Sequence, residues 1–97
     1  MHLLRVRKQA KVEILDAFAR YFQNSPPAAQ RFVVAVDEAI ARIEEAPEQF
    51  PVIHGRLRRA LLRRFPYAVY FKIYPSVISV VGVIHGHRHP DTWLLRS

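Results

Sequence analysis

Between Lys8 and Asn24 the apolar residues Ile14, Leu15, Phe18, Tyr21 and Phe22 recur at steps of three and four, which puts them on one stripe of an α-helix. Asn24-Ser25-Pro26-Pro27 interrupts the stripe. Ser25 suits a helix N-cap, and Pro26 suits the first helical position, where its missing N–H is no loss. A second helix is predicted from there, with Ala29, Phe32, Val33, Val36, Ile40 and Ile43 turned inward and its end near Pro47. Two helices joined by so tight a link form an antiparallel hairpin.

Elsewhere the period is two. Leu3 to Arg7 alternates apolar and basic residues, with Leu4 and Val6 on one face, and predicts a short first strand. Glu44 to Gly55, carrying Pro47 and Pro51, predicts a loop. Arg56 to Arg64 predicts a strand of poor alternation, since Leu57, Leu61 and Phe65 share a parity with Arg59 and Arg63. Either a bulge intervenes or those arginines lie beyond the covered part. In the next strand Tyr67, Val69, Phe71 and Ile73 share one face, while Ala68, Tyr70, Lys72 and Tyr74 take the other. Pro75-Ser76 turns the chain, and Val77 to Ile84 is apolar on both faces, as a central strand must be. The order is strand, helix, helix and three strands. It predicts a single α+β domain over residues 1–97, with a helical hairpin packed on one face of a mostly antiparallel sheet.

Charge changes this picture from a plain domain to a polarised one. Residues 1–55 carry seven Lys or Arg and seven Asp or Glu; residues 56–97 carry eight Lys or Arg against Asp91 alone. The whole excess of +7 therefore lies in the second half. Like charges held together oppose folding unless something uses them, so the asymmetry predicts a surface for nucleic acid or an acidic protein. The chain has no cysteine and no apolar run of membrane-spanning length, and its start is charged too early for a secretory signal. A reducing cytoplasm, with no membrane partner, is expected.

The candidate chemistry is basic. Arg56, Arg58, Arg59, Arg63 and Arg64 crowd one strand, and Lys72, Arg88 and Arg96 follow. Guanidinium groups grip phosphates or carboxylates through a fork of donors, so these eight residues form the candidate anion-binding and target-binding set. His85, His87 and His89 alternate at the end of the last strand around Arg88. An imidazole titrates near neutrality and suits general acid–base work. Buried packing is the better expectation for His85. Asp91 is the one nearby carboxylate, so no metal and no cofactor is assigned. Glycine-rich phosphate loops, nucleophile elbows and carboxylate pairs are lacking, which argues against a nucleotide-hydrolysing or metal-dependent hydrolytic enzyme.

Several of these positions form a pattern together. Ala10, Ile14 and Phe18 lie in the first helix, and Ser25, Ala29 and Phe32 open the second. Pro47, Phe50-Pro51, Arg59, Phe65-Pro66-Tyr67 and Tyr70 follow, and the series ends with His85, Arg88, Pro90, Trp93 and Arg96. The series resembles the RelE/ParE superfamily of toxins from type II toxin–antitoxin (plasmid stabilisation) modules across nearly the whole chain. The resemblance implies a protein that arrests bacterial growth until a cognate antitoxin presses an acidic or amphipathic segment onto it, giving a toxin–antitoxin hetero-oligomer.

The superfamily has two mechanisms. RelE-like members cut mRNA on the ribosome, which would cast Arg59, Arg63 and Arg88 as catalytic cations and His87 or His89 as acid or base. Trp93 stands near the C-terminus where many of those nucleases carry a tyrosine, and it has no titratable proton. ParE-like members inhibit DNA gyrase by binding it, and the Pro90…Trp93…Arg96 ending is more similar to that branch. Gyrase inhibition without catalysis by the chain itself is therefore the favoured expectation, with the ribosome-dependent mRNA endonuclease as its alternative. A module that binds antitoxin without being toxic is the third.

Overall fold

The computed structural model describes residues 3–86. Strand β1 (Leu3–Val6) leads into helix α1 (Lys8–Asn24) and helix α2 (Pro26–Glu45). After a single 3-10 turn (Pro47–Gln49) come β2 (Val52–His54), β3 (Leu57–Leu61), β4 (Tyr67–Ile73) and β5 (Val77–His85). The five strands form one sheet in the order β1-β5-β4-β3-β2. Every pairing is antiparallel except that of β1 with β5. The α+β hairpin-on-sheet architecture is as the periodicity predicts.

Two boundaries differ from expectation. The stretch expected to be a loop holds the 3-10 turn and the edge strand β2. Three residues between Pro51 and Gly55 leave too short a run to show a period. Strand β3 stops at Leu61 without a bulge against β4, so Arg63 and Arg64 fall in the following turn.

The break between the helices forms as its residues dictate. The Ser25 hydroxyl accepts the N–H of Ala28 at 3.3 Å, and Pro26 occupies the first helical position. The inward faces are narrower than expected. Along α1 the buried line runs through Ala10 and Ala17 with Ile14 and Tyr21 beside it, and along α2 through Ala29, Phe32, Ala35, Val36, Ala39 and Ile43. Leu15, Phe22 and Val33, all expected inward, are 66%, 51% and 36% exposed. The alanines explain the difference: they let the helices approach the sheet closely, and the large residues beside them are left at the surface.

Two apolar clusters result. Between helices and sheet lie Phe32, Val36, Ile43, Val69, Phe71, Val80 and Val83, among others. At its centre Phe32 sets its ring 5.3 Å from Tyr21, 5.5 Å from Phe65 and 5.3 Å from Tyr67. On the opposite face are Leu57, Ala68, Tyr70, Val81 and Ile84, to which neither helix contributes. A β-bulge lets β5 serve both. Tyr70 pairs with Gly82 and Phe71 with Val80, so Val81 is the extra residue and the alternation reverses there. Val83 consequently faces the helices although it shares a parity with Val81.

Strand β5 also runs past β1. Val6 pairs with Val80, and beyond that point α1 takes over the strand edge. The Arg7 N–H donates to the Val80 carbonyl at 2.9 Å, and the Val83 N–H donates to Glu13 Oε1 at 3.0 Å. A carboxylate thus satisfies an amide that would otherwise be an open sheet edge.

Truncation of Phe32 to alanine should cost about 3–5 kcal/mol in a urea melt, since it removes a fully buried ring from the meeting point of three others. A loss below about 1 kcal/mol would mean that the aromatic centre does not hold the hairpin to the sheet.

Candidate functional surfaces

Alternation along β3 sends neighbouring arginines to opposite faces of the sheet. Leu57, Arg59 and Leu61 share one face, across from Lys72, Tyr70 and Ala68 of β4. Arg59 stands directly opposite Tyr70, and its guanidinium hydrogen-bonds the phenol. Burial pushes the Tyr70 phenol above its ordinary value of 10, and the bond from Arg59 offsets part of that rise. Arg58 points to the other face. Its Nη1 donates to the carbonyl of Phe50 at 2.7 Å and to that of Glu48 at 3.3 Å, tying the segment after α2 to the sheet.

Arg56 follows Gly55, whose φ of +53° makes the turn between β2 and β3. Its Nη1 donates to the Ile73 carbonyl at 3.3 Å, and its guanidinium carbon lies 5.2 Å from the Tyr74 ring centre. Lys72 lines a small hollow there with His54, Gly55, Arg56 and Leu57. Arg63 and Arg64 stand apart from all of these, in the turn before β4, where they face α2. The arginines that crowd together in sequence are therefore dispersed over both faces and two ends of the sheet.

His87, Arg88, His89 and Arg96 lie outside the described residues, as do Pro90, Asp91 and Trp93. His85 is half-buried, its ring 5.7 Å from that of Tyr67 and edge-on to it. Around this pair a hollow of about 80 Å³ is lined by Glu13, Asp16, Arg20 and Val83 as well. Arg20 Nη2 donates to the Tyr67 hydroxyl at 2.7 Å, and that bond raises the Arg20 pKa. Sequence reasoning passed over Arg20 and Glu13. Their spacing of seven along α1 was the signal available, since two turns apart they lie on the same side of the helix, with Asp16 between them.

Two further residues were missed. Val34 is 55% exposed on α2, and Arg31 stands one turn before it. Together with Ala35 of α2 they line a groove of about 680 Å³, which Arg63, Arg64 and Phe65 line from the turn before β4. Arg64 takes a left-handed backbone, with φ at 68°, which costs a residue with a side chain about 1–2 kcal/mol.

Comparison with known proteins places these surfaces in context. Residues 4–90 match the family model described as the ParE toxin of the type II toxin–antitoxin system, parDE. No curated protein matches the chain at a significant level. Among solved structures, a chain from the chromosomal ParDE TA system of P. aeruginosa superposes with a TM-score of 0.78 at 18% identity. The match covers 88% of this chain and 96% of that one.

The tyrosines give the fold an alkaline limit. Burial raises the pKa of both Tyr70 and Tyr21 in the folded chain, so the unfolded chain loses those protons first as pH climbs. Stability is fully present below about pH 10, the ordinary tyrosine value, and falls as pH rises through the folded values. The urea midpoint should therefore drop between pH 9 and pH 11, and drop less in Tyr70→Phe. An equal drop in wild type and Tyr70→Phe would remove Tyr70 from the account.

Proposed function

We propose that this chain, which belongs to the ParE toxin family of type II toxin–antitoxin systems, arrests bacterial growth by binding and inhibiting DNA gyrase in the cytoplasm, and that a cognate antitoxin neutralises it. The observation that carries this reading is the family match over residues 4–90. The distribution of the described cations fits a binding mechanism. Cleavage of RNA requires cations converging on one phosphorane, with an acid and a base within hydrogen-bond reach.

The described residues do not converge in that way. Arg59 is bound to the phenol of Tyr70, Arg58 is turned to the opposite face and occupied by two carbonyls, and Arg63 stands in a turn beyond the strand. A surface that works by binding has no such requirement. Basic groups spread over the sheet can each meet a carboxylate of a large partner, and their summed field speeds encounter. Arg59 and Lys72, together on the sheet face away from the helices, are the described cations assigned to the target.

Induced alone, the chain should stop growth and block DNA supercoiling by purified gyrase, with no new mRNA 5′ ends. New ends in register with codons would replace the gyrase reading with the ribosome-dependent endonuclease. Unimpaired growth would make the chain a binding module without toxicity.

A further inference from the structure

The described arginines divide into those the fold uses and those it does not. Arg7 donates to the Ser79 hydroxyl at 2.7 Å, Arg20 to Tyr67, Arg42 to the Leu61 carbonyl at 3.1 Å, and Arg56 and Arg58 to backbone carbonyls. Arg59 holds Tyr70. Arg5, Arg31, Arg63 and Arg64 make no hydrogen bond or ion pair with another described residue, and the last three line the same groove between α2 and the turn before β4. The groove wall contains one carboxylate, Glu38, so its net charge is +2.

Its floor is apolar. Val34 sits in the middle of α2 with more than half its surface in water, beside Ala35 and Phe65. The core does not require a valine there, and a β-branched residue is a poor helix former. The turn shows a second local cost, because Arg64 keeps a left-handed backbone that glycine would adopt freely. Residues held against local preference around one groove point to a use for that groove.

We propose that this groove seats an acidic, apolar-bearing segment of the antitoxin, its carboxylates on Arg31, Arg63 and Arg64 and an apolar side chain over Val34 and Phe65. The proposal rests on the reading that the chain has an antitoxin, and it separates that partner's seat from the sheet face assigned to the target. A protein segment fits better than a nucleic acid. Guanidinium groups accept either anion, but a phosphate backbone has nothing to bury on valine and phenylalanine.

The test is the affinity of the cognate antitoxin for the full chain, with a single-stranded oligonucleotide as the competing polyanion. The double reversal Arg31→Glu with Arg63→Glu should weaken antitoxin binding about 100-fold and make it less salt-dependent, since charge pairs at such interfaces contribute strongly. Cells carrying this variant should stop growing even when the antitoxin is present. Arg5→Glu, an equal charge change at an exposed position on β1, should bind like wild type.

Arg64→Gly gives an independent reading. It relieves the left-handed backbone and should raise Tm by a few degrees, yet it should bind antitoxin about tenfold more weakly, having lost one ion pair. Antitoxin affinity unchanged within threefold in the folded double variant would overturn the groove while leaving the toxin reading in place. Loss of oligonucleotide binding with antitoxin binding intact would overturn it in favour of a nucleic-acid site. If the unaltered chain does not bind the antitoxin, both the groove and the antitoxin reading fail.

Discussion

Ile78, Val80, Val81, Val83 and Ile84 of β5 are all buried, and they face both sides of the sheet. Leaving any one of them in water would cost about 1.5–3 kcal/mol, so β5 must lie inside the sheet with both faces covered. Much of the architecture follows. β1 and β4 flank it, the helical hairpin covers one face, and a second apolar cluster forms on the other. Where β1 ends, Arg7 supplies a backbone donor and α1 the Glu13 carboxylate to the exposed edge. The bulge at Val81 then allows one strand to feed both clusters although its apolar run has no alternation of its own.

That constraint also sorts the basic residues. A strand sends consecutive side chains to opposite faces, so Arg58 and Arg59 diverge however close they are in sequence. One ties down the connection from α2 and the other braces a buried phenol. Arginine serves such roles well because its long stem reaches a carbonyl while its planar head donates in several directions. The charge of the second half is thus not one surface with one purpose. Among the described residues, Arg56, Arg58 and Arg59 serve the fold, while Arg63 and Arg64 stand where α2 meets the turn before β4.

Much of the fold was legible in the sequence because it depends on period. The Ser25-Pro26 break, the change from a period of three and four to a period of two, and the doubly apolar last strand each have a direct structural counterpart. Less was legible where small residues decide. Alanines at positions 10, 17, 29, 35 and 39 set the depth of the helices, yet a hydrophobic stripe drawn through the largest residues overlooks them and draws in Leu15, Phe22 and Val33 instead. The candidate site was the least legible part. Sequence shows the density of arginines, not their direction, and Arg31 and Val34 join Arg63 only through the packing of α2 against a turn some thirty residues later.

A division of labour among arginines is therefore the central claim for this ParE-family chain: some hold the fold, and Arg31, Arg63 and Arg64 are proposed to hold the antitoxin. The most direct measurement is a titration of the isotope-labelled chain with its antitoxin, followed at the arginine side-chain N–H signals. The signals of Arg31, Arg63 and Arg64 should exchange rapidly with water in the free chain, then shift and become protected as antitoxin is added, while those of Arg42, Arg56 and Arg58 stay in place. Protection of the second group, with the first unchanged, would contradict the division.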